Sequence, residues 1–227
     1  MSTTPQAASA GSGAGTGPVP GLPDNWGATA AEIAGPWPCA GLLDGPVTSL
    51  WRAVTVDAPP AVLWRWLCQL RIAPYSYDVI DNLGRRSPPT LTPRAEALAV
   101  GDRVMVFRLT EVVPGVEMTG RGLPGPEALF GPIAGTYRVR PHAAGSRLVV
   151  RLDVGAGGTP AARLRRCLLA WGDLVMMRKQ LLTLKDHAER QARAARLAGA
   201  GPGGAAPGAA GRAVPGVPVP AVPEAGR

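Results

Sequence analysis

The chain has 227 residues and a net charge of +8, which is length for one ordinary domain with extensions and too little for two large ones. The positive excess is concentrated in residues 160–197, where nine basic side chains stand against three acidic ones and only Lys179 and Lys185 of the nine are not Arg. That is the signature of one charged helix, so specific nucleic-acid binding is not expected. There is no run of about 18 apolar residues and no basic-then-apolar leader, so neither a membrane span nor a secretory signal is expected, and the cytoplasm is the expected location.

Residues 1–25 and 198–227 are almost entirely Ala, Gly, Pro, Ser and Val without periodicity, too poor in large apolar side chains to offset the entropy of ordering. They are expected to be disordered tails around one folded domain at residues 26–197. Cys39, Cys68 and Cys167 are odd in number and widely spaced, which suggests reduced thiols rather than a disulfide framework or a zinc site. Cys68 and Cys167 fall in apolar helical stretches and are expected to pack as small hydrophobes.

The first structured signal is TSLWRAVTV, residues 48–56, a β-branched and aromatic run that predicts a strand. Pro59 and Pro60 then suit a helix start, where the missing N–H groups have no intrahelical partner to lose. Val62, Leu63, Trp66, Leu67 and Leu70 follow at spacings of three and four, an apolar stripe that leaves Trp64 for the flank or the cavity edge. Pro74 ends this helix, and a second short one is expected over residues 75–82. Strands are expected at residues 103–111, 116–121, 135–140 and 146–154, with a weak one at 128–130. In the last long strand Leu148, Val150, Leu152 and Val154 alternate with Arg147, Val149, Arg151 and Asp153, the period of a sheet wetted on one face. Short spacing and tight turns argue for an antiparallel meander. From residue 161 to about 195 no proline intervenes, predicting a helix about 50 Å long. Between residues 167 and 177 it is apolar nearly all round, so its middle is expected inside the domain and its charged end outside.

A strand, two short helices, an antiparallel series of strands and one long C-terminal helix make an α+β order that resembles the helix-grip fold of the START/Bet v 1-like class. WRAVTVDAPPAVLWRWL resembles the opening of SRPBCC proteins. The segments APYSYDVIDNLGRRSP, LAVGDRVMVFRL and WGDLVMMRKQLLTLKDHAER are similar to those of an actinobacterial-type subgroup of that superfamily, polyketide cyclase/dehydrase-like in kind. The resemblance implies a curved sheet wrapped around the long helix, with a cavity for a hydrophobic or amphipathic small molecule. The superfamily holds lipid carriers, hormone receptors, aromatase/cyclases and oxygenase subunits, so fold alone does not fix function.

The candidate chemistry is sparse. His142 falls in a turn and His187 in the charged helix end, neither placed for general base work. No HExxH, Walker loop, GxSxG or clustered Cys/His pattern occurs, so no metal site and no cofactor are expected and no catalytic residue is assigned. The densest polar group is Tyr75, Tyr77, Asp78, Asp81, Asn82, Arg85 and Arg86. On a helix Tyr77 would share a face with Asp81, and Asp78 with Asn82; the group reads either as a ligand's polar anchor or as carboxylates paired with Arg85 and Arg86. A second candidate is Trp171, Asp173, Met176 and Met177. An Asp in an apolar stretch needs a partner; Arg178, five residues on, is not ideally aligned, so an Arg elsewhere, such as Arg85 or Arg86, is the expected one, locking two helices together. The methionines read as core or as an adaptable pocket wall. Three functional readings follow: non-catalytic binding of a hydrophobic or amphipathic ligand, a cofactor-independent polyketide cyclase/dehydratase-like activity using Tyr77, Asp81 or Arg85, and an interaction module using the basic helix end. Ligand identity and oligomeric state are not readable.

Overall fold

The structure, a computed structural model, describes residues 18–77 and 86–199. Its frame is a curved seven-stranded sheet gripping one long helix. Strand β1, Asn25–Trp26, lies parallel to β2, Val47–Val56. All other neighbours are antiparallel: β2 pairs with β7, Gly145–Gly155, then come β6, Ile133–His142, β5, Glu117–Gly122, β4, Phe107–Val113, and β3, Arg103–Val104. Paired structure begins ahead of residue 26, since Trp51 N–H donates to the Asp24 carbonyl at 2.7 Å. The β6–β7 hairpin turns at Gly145, where φ is +115 and an added Cβ would sit 2.7 Å from the Val56 carbonyl oxygen. Only glycine fits that corner without strain.

Helix α1 is Ala30–Ala34, opened by a capping box between Thr29 and Glu32. Helix α2, Pro60–Cys68, starts on proline as expected and continues into the 3-10 turn Gln69–Arg71. Both Trp64 and Trp66 are buried on it, so the flank position assigned to Trp64 is covered too. Helix α3, Pro124–Phe130, stands where a weak strand was expected at residues 128–130. Two prolines open it, and Gly131 closes it at φ +86; the capping residues, which weigh against a strand, outweigh a three-residue apolar run. The strand expected at residues 103–111 is split into β3 and β4 by Met105, whose φ is +52. At residues 75–77 the chain bends, with Tyr75 at φ +53, instead of continuing a helix, and residues 78–82 of that expectation lie outside the described residues.

The long helix α4 is Pro160–Gly199, about 60 Å at 1.5 Å per residue. One stripe of it, Ala170, Leu174, Met177, Leu181, Leu184, Ala188 and Ala192, packs on the sheet and on α2. Leu181 and Leu184 are fully buried and contribute roughly 1.5–3 kcal/mol each. The stretch from 167 to 177 is not enclosed as expected. Leu168, Trp171 and Val175 face outward, as does Cys167; a run apolar all round is buried only where another layer covers its far side, and among the described residues none does so.

The other sheet face is also not wetted as the β7 alternation suggested. The chain from Ala28 to Leu43 lies across it and forms a second core with Trp51, Ala53, Ala134 and Val149. The polar members of the alternation are used in this seam: Arg147 pairs with Glu32 at 2.8 Å and Arg151 with Asp153 at 2.8 Å, while Arg138 lies over the Trp37 ring at 4.2 Å. No described helix is long and apolar enough to cross a membrane.

Candidate functional site: a cavity between sheet and helix

Between the sheet, α4 and the turn after α2 lies a cavity of about 1230 Å³. The turn contributes Leu70, Ile72, Ala73 and Pro74, and Met105, Val106 and Phe107 come from the β3–β4 corner. Ile133, Tyr137, Val150 and Leu152 supply the sheet wall, and Leu164, Leu168, Leu169, Met176 and Met177 the helix wall. The volume lies somewhat above the 300–1,000 Å³ usual for small-molecule sites, and the mostly apolar wall with a few placed polar groups is their usual character. Ile72, Leu164 and Leu168 are both cavity-lining and solvent-exposed, so they form its rim.

One buried charge pair stands in the wall. On β2 the side chains of Leu50, Arg52 and Val56 share the face toward α4, which sends a guanidinium into the main core. Arg52 is 1% exposed. Its Nη2 lies 2.8 Å from Asp173 Oδ2. Its Nη1 donates to the carbonyls of Trp51 at 2.8 Å and Asp24 at 3.2 Å, and its Nη2 to that of Ala170 at 3.3 Å. Arg52 Nε and Asp173 Oδ2 have no aligned hydrogen-bond partner, so the two ions touch as charges without saturating each other. Burial pushes the Asp173 carboxyl up to about 6 against the opposing pull of Arg52. Burial likewise lowers the Arg52 pKa, with Asp173 holding it back. A carboxyl poised there changes protonation with small changes of surroundings.

Beside the pair a hydrogen-bonded tie closes the inner wall. The Tyr137 hydroxyl shares its proton between Gln180 Oε1 at 3.2 Å and Met177 Sδ at 3.4 Å. Gln180 Nε2 donates to the Pro74 carbonyl at 2.7 Å and lies 3.2 Å from Met105 Sδ. Burial, and secondarily the Asp173 charge, raise the Tyr137 pKa, so the phenol stays protonated. Among the lining residues Asp173 is the one carboxylate beside five arginines; Arg52 pairs with it, Arg71 with Asp102 at 3.3 Å and Arg151 with Asp153 at 2.8 Å, which leaves Arg103 and Arg165 without an ion pair among the described residues. The Arg151 guanidinium is turned to Trp51 on the other sheet face.

The two sequence-predicted groups separate. Asp173, Met176 and Met177 line the cavity, whereas Trp171 stands on the outer side of α4. Among the described residues the Asp173 partner is Arg52; Arg86 is exposed, and Arg85 lies outside the described residues. The lock joins α4 to a strand, because β2 crosses under α4 at that turn. Tyr75 is packed away from the cavity lining. It is 1% exposed, its hydroxyl donates to the Pro88 carbonyl at 2.9 Å, and its ring meets Trp66 and His187 edge-on. Tyr77 is 41% exposed and stands away from the lining. Asp78, Asp81 and Asn82 lie outside the described residues. His187, read as part of a solvated end, stacks on Trp66 at 4.3 Å, and burial lowers its pKa. Arg52, Tyr137 and Gln180 were not singled out in the sequence. The signal for Arg52 was there, a charge on the apolar side of a strand's alternation.

No family model matches the chain, and no curated protein matches it. Solved structures do. An aromatase/cyclase from a Streptomyces species is 18% identical, with 66% of this chain and 98% of that chain covered at a TM-score of 0.43. The di-domain aromatase/cyclase StfQ of the steffimycin biosynthetic pathway is 16% identical, covering 65% of this chain and 52% of that chain at 0.42. A structural-genomics protein from Mesorhizobium loti is 17% identical, covering 63% and 97% at 0.42.

Proposed function

We propose that the domain binds an amphipathic small molecule, with the apolar body in the cavity and a polar or anionic end at Arg52. The observation that carries this reading is the 1230 Å³ apolar chamber with a buried guanidinium in its wall whose Nε has no acceptor. An unpaired donor in an apolar wall is costly when empty and selective when filled. The cavity's arginine excess favours a carboxylate, phosphate or enolate over a cation. In this reading the chain belongs with the SRPBCC superfamily, in the actinobacterial-type subgroup its segments resemble, as one domain with two tails. Native mass spectrometry of the purified chain, before and after solvent extraction, tests it. One equivalent of an extractable organic molecule, or rebinding of an apolar carboxylate from a panel, supports it; an empty protein indifferent to the panel contradicts it.

A second reading rests on Asp173. A carboxyl pushed up to about 6 inside a cavity can give a proton to a leaving hydroxyl and take one from carbon near neutral pH, as a cofactor-independent cyclase/dehydratase requires. In that reading Asp173, rather than the exposed Tyr77, is the acid–base residue. Loss of water from a poly-ketone analogue that stops in Asp173→Asn supports it, and equal turnover in the variant contradicts it.

A further inference from the structure

The first half of α4 carries an apolar stripe that the packed core does not cover. Leu164, Leu168, Trp171 and Val175 are 63%, 65%, 49% and 52% exposed. Their spacing of four, three and four puts them within about 60° of one another around the helix. The buried stripe of the same helix is centred about 120° away around the axis, so the packed core leaves this face open, with Leu164 and Leu168 reaching the cavity rim at its edge. Its surroundings are basic. Arg163 and Arg165 lie about 100° to either side of the stripe, and Arg178 and Lys179 continue it toward the C-terminus; all four are exposed. The only acid from residue 160 to 179 is Asp173, which faces Arg52.

We infer that this face seats the domain on an anionic lipid surface. The residues fit that occupant in three ways. Leucines and a tryptophan flanked by arginines match the apolar depth and the interfacial belt of a bilayer edge. Long arginine stems let their charged heads reach phosphates while the stripe is submerged. A second copy of the chain fits poorly, because pairing the stripes would bring two sets of basic residues together with no exposed acid between 160 and 179 to offset them. The distal end of α4, by contrast, is largely neutralised by its own pairs, Lys185 with Glu189 and Arg196 with Asp57. The interaction face is therefore the proximal half of the helix and not its charged end. Leu164 and Leu168 belong to both stripe and cavity rim, so a molecule leaving the bilayer would meet the cavity mouth directly; that last point rests on the binding function proposed above.

Flotation of the full chain with vesicles tests the inference. The chain floats with phosphatidylcholine vesicles containing phosphatidylglycerol and not with phosphatidylcholine alone, and added salt releases it. Trp171→Glu with Val175→Glu reduces flotation to background. Both residues stand outside the cavity lining, so uptake of an apolar carboxylate in solution is unchanged, which keeps failure of docking distinct from failure of cavity binding. Arg163→Gln with Lys179→Gln, two surface changes with little demand on folding, weakens anionic-vesicle binding about fivefold per side chain. Equal flotation with both vesicle types, equal flotation of the Trp171 and Val175 variant, or a stripe-dependent dimer in sedimentation without lipid would overturn the inference.

Discussion

Replacing Asp173 by Asn removes one titration while leaving a carbonyl oxygen beside Arg52. Burial raises the folded carboxyl from an ordinary 3.8 to about 6. The folded state therefore holds this proton more tightly than the unfolded chain. The stabilising contribution is complete below 3.8 and is lost as the pH climbs through about 6, the reverse of a salt-bridged surface acid. Between about pH 4 and about pH 7 the loss amounts to about 2 kcal/mol, or roughly 4–8 °C in Tm for a domain of this size. At neutral pH the substitution also deprives Arg52 of its counter-charge, partly offset by the Trp51, Asp24 and Ala170 carbonyls, so the informative quantity is the slope. Glu32 and Glu189, whose pKa values are lowered by burial-opposing hydrogen bonds from Arg147 and Lys185, titrate in both proteins and cancel. Thermal melts across that pH range, wild type minus Asp173→Asn, should show the wild type losing ground steadily as pH rises. Parallel curves would refute the argument that burial governs this carboxyl.

Gly145→Ala should cost about 2 kcal/mol or more by chemical denaturation, since φ is +115 and the new methyl meets the Val56 and Ala58 backbone; a neutral effect would mean that the hairpin corner relaxes freely. Gln180→Leu leaves the Pro74 carbonyl and the Tyr137 hydroxyl short of a partner and should cost about 1–3 kcal/mol by the same assay, with a near-zero change counting against the inner-wall tie. In the native protein a thiol reagent should titrate one cysteine, the exposed Cys167. Cys39 and Cys68 are buried, and burial pushes the Cys68 thiol up to about 12, so their prompt modification before unfolding would contradict the packing.

The parts of this fold readable from sequence are those in which local chemistry and tertiary demand agree. The alternation in β7, the proline start of α2 and the proline-free run of α4 each point to the element that forms. What escaped depends on distant partners. The outer sheet face looked wetted because Arg147 and Arg151 alternate with apolar residues, yet Glu32 and Trp51 receive them once the chain from Ala28 to Leu43 crosses that face. Asp173 was recognisable as needing a cation, but spacing along one helix cannot say that β2 passes beneath it. The apolar girdle at 167–177 read as interior because periodicity reports an element's own pattern, not whether a layer exists to cover both its sides. Gln180 and Tyr137 lie 43 positions apart and meet only because α4 lies across β6.

Whether the chamber between sheet and α4 takes an amphipathic ligand is tested directly by a fluorescence titration with anilinonaphthalene sulfonate, an apolar ring system bearing an anionic group. Leu169→Trp with Met176→Trp narrows the cavity from the helix wall, where both residues line it. Saturable binding at one probe per chain, weakened about tenfold or more in an equally stable double variant, is the result predicted. Absence of saturable binding by the wild-type protein, or the same affinity in the narrowed variant, would contradict the claim.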